Sequence, residues 1–166
     1  MLLRQSNSPA IEAIISIYGQ REYPVDAPGV SHKLTLRFDD IEAPDPSDPA
    51  SVHRSWVHQK WNAEIGRPQV PPTVQDARAI IDFADRIRGI AGAVLCQCQG
   101  GISRSPAAAV LCLAVWAGKG QEQYCAETLL SIRPCAVPHR DLISFGDGLL
   151  ERDGKLVAAV MEARHL

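Results

Sequence analysis

Val94 to Val110 reads VLCQCQGGISRSPAAAV. A short apolar run, Ala91 to Gln97, leads into a glycine-containing turn, Gln99 to Arg104. Ser105-Pro106 then suits a helix opening, with Ser at the cap and Pro at the first helical position. The run lacks alternation, which predicts a buried central strand. The helix that follows, Pro106 to Ala117, is apolar on all sides and should be buried on most of them. Strand, tight turn and helix make one unit of an α/β layer fold.

Upstream, Ile11 to Tyr18 (IEAIISIY) is rich in β-formers and predicts a strand. Arg21 to Val30 carries two prolines and a glycine and reads as a loop. Leu34 to Phe38 alternates apolar and polar residues, as a strand with one wet face does, and Asp39-Asp40 ends it. Residues 44–72 form an irregular excursion. Pro44, Pro46 and Pro49 open it, Pro68, Pro71 and Pro72 close it, and Trp56 and Trp61 sit between. One or two helical turns are expected there. The segment would act as a lid or recognition loop, or its tryptophans would pin an insertion by burial. Thr73 starts a one-sided helix, Val74 to Arg88, whose Ala77, Ile80, Ile81, Ala84 and Ile87 share a face. Gln121 to Ile132, Arg140 to Leu150 and Gly154 to Ala163 read as further helices. The expectation is a single α/β domain over residues 1–166. It would have a central, mostly parallel sheet of about four to five strands flanked by helices, and a helical C-terminal half.

Composition narrows the function. The 166 residues are 46% hydrophobic and 22% charged, in line with one globular domain. A net charge of -2 disfavours a nucleic-acid partner bound through a global basic field, and 5% aromatics leave little for base stacking. Five cysteines is an odd number for a disulfide framework. No His, Cys, Asp or Glu cluster has metal-ligand spacing, so neither a metal nor another cofactor is expected. Met1 to Ala10 has one Arg and no long apolar run, unlike a signal peptide. Pro106 to Ala117 is too short to span a bilayer. A cytoplasmic domain with reduced thiols and no membrane partner is the expectation. The oligomeric state is not legible.

Four features converge on the loop after the strand. Cys98 sits where strand gives way to loop. Gly100 and Gly101 allow a tight backbone with inward N–H groups. The following helix aims its positive end at the same place. Arg104 closes the loop with a planar fork suited to an oxyanion. Together they describe an anion cradle with a thiol at its base, and the same groups favour thiolate over thiol. A thiolate beneath a bound phosphate can attack phosphorus.

Cys98-Gln99-Gly100-Gly101-Ile102-Ser103-Arg104-Ser105 resembles the C-x5-R-S/T signature of the cysteine-dependent protein tyrosine phosphatases. The wording is closest to the dual-specificity and bacterial tyrosine-phosphatase-like branches. The resemblance extends to Leu34–Ile41 and to the helical half, including Arg133-Pro134 and Arg152-Asp153-Gly154, and covers residues 44–72 poorly. It implies Cys98 as the nucleophile forming a phosphocysteine. Gln99, Gly100, Gly101, Ile102, Ser103 and Arg104 would hold the phosphoryl oxygens. Ser105 would ease departure of the thiolate, and Asp40 would be the general acid, with Asp39 as fallback. The substrate would be a phosphorylated protein or a small phosphomonoester. Gln97 stands where related enzymes usually have His, which predicts a less depressed thiol pKa. A rhodanese-like sulfurtransferase and a non-catalytic phosphate-binding module are the rival readings. Cys96 is read as a small core residue or a resolving thiol, and His139 as a capping or surface residue.

Overall fold

A computed structural model describes residues 10–24, 27–44 and 46–163. Met1 to Ala10, read above as unlike a signal peptide, lies up to residue 9 outside the described residues. Among the described residues the elements run β1 (Ile11–Tyr18), β2 (His32–Arg37), α1 (Pro49–Glu64), α2 (Val74–Arg86), β3 (Ala93–Gln97), α3 (Arg104–Ala117), α4 (Glu122–Ile132), α5 (Arg140–Leu149) and α6 (Lys155–Ala163). The architecture is α/β, and both strand pairings are parallel.

The sheet has three strands in the order β2-β1-β3, fewer than the four to five expected. Among the described residues, every one after Gly118 that falls in a regular element is helical, so no strand follows α3. The expected centre also shifts. β1, not the strand before the Cys98 loop, lies in the middle, and β3 is an edge strand among the described residues. β1 carries the longest β-branched run, and its residues from Ala13 to Tyr18 are buried on both faces. Ala13, Ile15 and Ile17 face the helical core. Ser16 and Tyr18 lie on the opposite face, as the two-residue period requires. β3 shows only intermediate burial, apart from the exposed Leu95.

Helix boundaries follow local chemistry. Thr73 caps α2 through a reciprocal box: its Oγ1 accepts from Asp76 N at 3.3 Å, and Asp76 Oδ2 accepts from Thr73 N at 2.7 Å. α3 begins earlier than expected. Its N-cap is Ser103, which makes no side-chain capping bond, and Ser105 lies inside the first turn. A different acceptor, the Cys98 sulfur, faces that turn, as described below. Residues 44–72 hold one 16-residue helix instead of one or two turns. α1 buries none of its residues, and Trp56 and Trp61 are 57% and 61% exposed, so the tryptophans do not pin the insertion by burial.

α2 and α3 pack on the sheet, and α5 packs on both. A Cβ on Gly146 of α5 would collide with the Leu111 side chain of α3, so glycine permits that close crossing. α4 and α6 complete the helical layer and are locked by a buried ion pair. Arg152 Nη1 donates to Glu122 Oε1 at 3.1 Å, and Nη2 donates to Ala114 O at 2.8 Å. Asp147 caps the start of α6, accepting from Gly154 N at 2.6 Å and Leu156 N at 2.8 Å. Burial alone would raise the Glu122 carboxyl. The amides of Glu122 and Gly120 together with Arg152 outweigh it and hold the group below the ordinary carboxylate range.

Arg152→Met leaves Glu122 buried without its cation. We expect a loss of about 3–5 kcal/mol in urea unfolding. Glu122→Gln combined with Arg152→Met should recover part of it, because no lone charge is left. Equal stability of Arg152→Met and wild type contradicts this account of the C-terminal lock.

Candidate active site

β3 ends at Gln97, and Cys98 is the first residue of the loop that returns the chain to α3. The thiol is half-buried, with Cys98 Sγ 3.2 Å from Ser105 Oγ. The amides of Ser105 and Gly101 also favour the thiolate over the thiol. Gly101 has φ +63°, a left-handed value that glycine adopts without strain. The sulfur thus occupies the place of a capping group at the N-terminus of α3, where amide donors are otherwise unpaired.

Burial pushes the Cys98 thiol up. The Ser105 hydroxyl, the Ser105 and Gly101 amides and the Arg104 charge outweigh it, and the net shift is below the ordinary thiol value. Gln97 does not touch this balance directly. Its Nε2 donates to Ser16 Oγ at 2.9 Å and Tyr18 Oη at 3.2 Å on the far face of the sheet. Gln97 therefore anchors the end of β3 to β1.

Arg104, at the start of α3, is only 4% exposed. Its Nη2 donates to Glu22 Oε1 at 2.9 Å, and its Nη1 to Phe38 O at 3.2 Å. Among the described residues, its buried Nε has no partner. A buried guanidinium with an unused donor costs free energy, which a bound oxyanion would offset. Burial raises the Glu22 carboxyl. Hydrogen bonds from Arg104 and from Gly19 N, and the Arg104 and Arg37 charges, hold it below the usual range nonetheless. Arg37 Nη1 in turn donates to the Gly19 and Glu22 carbonyls at 2.9 and 3.3 Å, fixing the turn that carries Glu22.

The two acidic candidates separate cleanly. Asp39 is committed to backbone: its Oδ1 accepts from Gln20 N at 3.1 Å and its Oδ2 from Val70 N at 2.8 Å. Asp40 is 47% exposed and reaches the loop, its Oδ1 accepting from Ser103 Oγ at 2.6 Å. Of the two, Asp40 joins the Cys98 loop.

The loop is braced from outside. Arg133 Nε donates to Gly101 O at 3.2 Å and its Nη2 to Gly100 O at 3.4 Å. Val137 N donates to Ile102 O at 2.7 Å, and His139 N to Ser103 O at 3.2 Å. Gln99, Gly100 and Ile102 are exposed on the loop rim. His139 is 1% exposed and its side chain makes no cap, so the capping-or-surface expectation is corrected. Cys96 packs against the core and shares a hydrogen bond with Cys112, whose thiol that bond and burial push well up. A cavity of about 400 Å³ lies beside Cys98, lined by Tyr18, Arg21, Glu22, Tyr23, Gln97, Cys98 and Gln99.

The structure brings Cys98, Arg104, Ser105, Ser103 and Asp40 together around one loop. Sequence reading missed Glu22, Arg37, Arg133 and His139 as supports. Glu22 lies 82 positions from Arg104, and a glutamate in a proline-flanked loop carries no local signal of that partner. Among the described residues there is no group of three or more His, Cys, Asp or Glu side chains arranged to hold a metal ion. No helix among them is long and apolar enough to cross a membrane. No family model matches the chain, and no curated protein or solved structure matches it significantly.

Alkylation of Cys98 by iodoacetamide, followed by peptide mapping across pH, should half-titrate below the ordinary free-thiol range. Ser105→Ala should move that midpoint up by about one to two pH units, since a hydrogen bond to a charged group contributes about 1.5–3 kcal/mol. A wild-type midpoint at the free-thiol value contradicts the capping geometry.

Proposed function

We propose that the chain is a phosphomonoester hydrolase, a protein-tyrosine or dual-specificity phosphatase working through a phosphocysteine on Cys98. One observation carries the reading. A thiol held below its ordinary pKa by a helix N-terminus stands beside a buried guanidinium whose Nε is unused. Both are what a bound phosphoryl group requires.

The chemistry balances on this chain's own groups. The Cys98 thiolate attacks phosphorus, and the phosphorus–oxygen bond to the leaving group breaks. Protonated Asp40 gives its proton to the departing oxygen. Water then gives a proton to Asp40 carboxylate and attacks the phosphocysteine. Inorganic phosphate leaves and the thiolate returns, steadied by the Ser105 hydroxyl. Arg104 and the loop amides hold the equatorial oxygens throughout. Every step is written without a metal or cofactor.

The substrate preference rests on the surroundings of the loop. No lysine lies between Cys98 and Arg104, which argues against highly anionic inositol phosphates. Tyr23 on the adjoining cavity wall, largely exposed, offers aromatic surface to an aryl phosphate. The link from Asp40 to Ser103 favours this reading over a sulfurtransferase, which needs no upstream acid.

Purified protein should hydrolyse p-nitrophenyl phosphate, and Cys98→Ser should abolish turnover. Asp40→Asn should lower the rate on phenyl phosphate, a poor leaving group, by about 10²–10⁴-fold at neutral pH, with a smaller loss on p-nitrophenyl phosphate. Activity that persists in Cys98→Ser overturns the proposal. Vanadate binding with no turnover by wild type points instead to a binding module. Thiosulfate-to-cyanide transfer that is indifferent to Asp40→Asn points to the sulfurtransferase.

A further inference from the structure

We infer that His139 is a positioning residue that fixes the Asp40 loop against the phosphate loop. The inference rests on the hydrolase reading above. His139 stands at the junction of three segments. Its backbone N–H donates to Ser103 O at 3.2 Å. Its Nε2 lies 3.0 Å from Ile41 O. A carbonyl only accepts, so Nε2 carries the hydrogen. Ser103 Oγ donates to Asp40 Oδ1 at 2.6 Å. One residue therefore holds the chain on both sides of Asp40: Ile41 through its ring and Ser103 through its backbone.

Neighbouring contacts tie the same segments. Arg140 N donates to Glu42 Oε1 at 3.2 Å, and Ala43 N donates to an Asp141 carboxylate oxygen. These flanking contacts are exposed, whereas the His139 side chain is fully buried. In low dielectric a hydrogen bond is stronger and stiffer than at the surface. The imidazole also has its Nε2 4.0 Å from Asp40 Oδ1. Its Nδ1 has no partner among the described residues, so the ring is oriented by the Ile41 bond alone.

Substitution of the ring releases Ile41 and leaves the backbone bond to Ser103 in place. The acid loop should loosen while the phosphate loop keeps its shape. A defect of proton delivery has its own signature: poor leaving groups suffer and good ones do not. His139→Leu keeps apolar volume and removes the donor. His139→Gln keeps a donor at comparable reach.

The test measures kcat/KM on phenyl phosphate, a poor leaving group, and p-nitrophenyl phosphate, a good one. His139→Leu should lose about tenfold or more on phenyl phosphate and less than about threefold on p-nitrophenyl phosphate. His139→Gln should restore the wild-type ratio. Asp40→Asn with His139→Leu should be no slower on phenyl phosphate than Asp40→Asn alone. If His139→Leu does not fold, His139→Asn, whose shorter amide falls short of Ile41 O, must show the same skew. Equal losses on both substrates, failure of Gln to restore the ratio, or additive losses in the double variant each overturn the inference. A wild type inactive on both substrates is a separate outcome: it defeats the hydrolase reading itself, and the inference with it.

Discussion

The sulfur of Cys98 seated on the first turn of α3 is the contact on which the site depends. A helix N-terminus presents unpaired amide donors, and something must accept from them. Here the helix has no side-chain cap, and the Ser105 amide and hydroxyl turn to the thiol. The helix start and the lowered thiol pKa are thus one arrangement seen from two sides. The apolar body of α3, buried from Arg104 through Val115 with few breaks, keeps that turn from shifting. The rest of the helical layer packs around it.

Arg104 extends the same logic to charge. A buried guanidinium needs partners on several sides. Glu22 and the Phe38 carbonyl supply two, from segments flanking β1 and β2, and the Nε is left over. The parallel sheet makes this possible. β1 and β2 both deliver their C-terminal ends to the mouth of the β3–α3 turn, as parallel α/β sheets do for their ligands. Arg37, at the end of β2, holds the Glu22 turn by its carbonyls.

Most of the elements were legible because their signals are local. The periodicity of Ala77, Ile80, Ile81 and Ala84 placed α2, and the continuous apolar run of Pro106 to Ala117 placed α3. The Cys98 to Ser105 spacing placed the loop because a strand, glycines and a helix bracket it. The failures are non-local. Strand order depends on which run is most deeply covered, and Ile11 to Tyr18 outranks Ala93 to Gln97 there. α1 escaped a periodicity reading because its apolar residues do not form one face, and none is buried. Glu22 and His139 are defined by partners 82 and 98 positions away, a distance that spacing cannot register. Asp39 and Asp40 look equivalent in sequence. Only the backbone amides of Gln20 and Val70, which claim Asp39, separate them.

Trapping the covalent intermediate tests the central claim most directly. Ser105→Ala removes the hydroxyl 3.2 Å from Cys98 Sγ; under the proposed mechanism that hydroxyl steadies the departing thiolate, so the intermediate should accumulate during turnover of p-nitrophenyl phosphate. After rapid acid quench and proteolysis, mass spectrometry should find one phosphoryl group on the Cys98 peptide, and none on it in Cys98→Ser. Turnover with no phosphoryl group on Cys98, or with the group on another residue, contradicts the account.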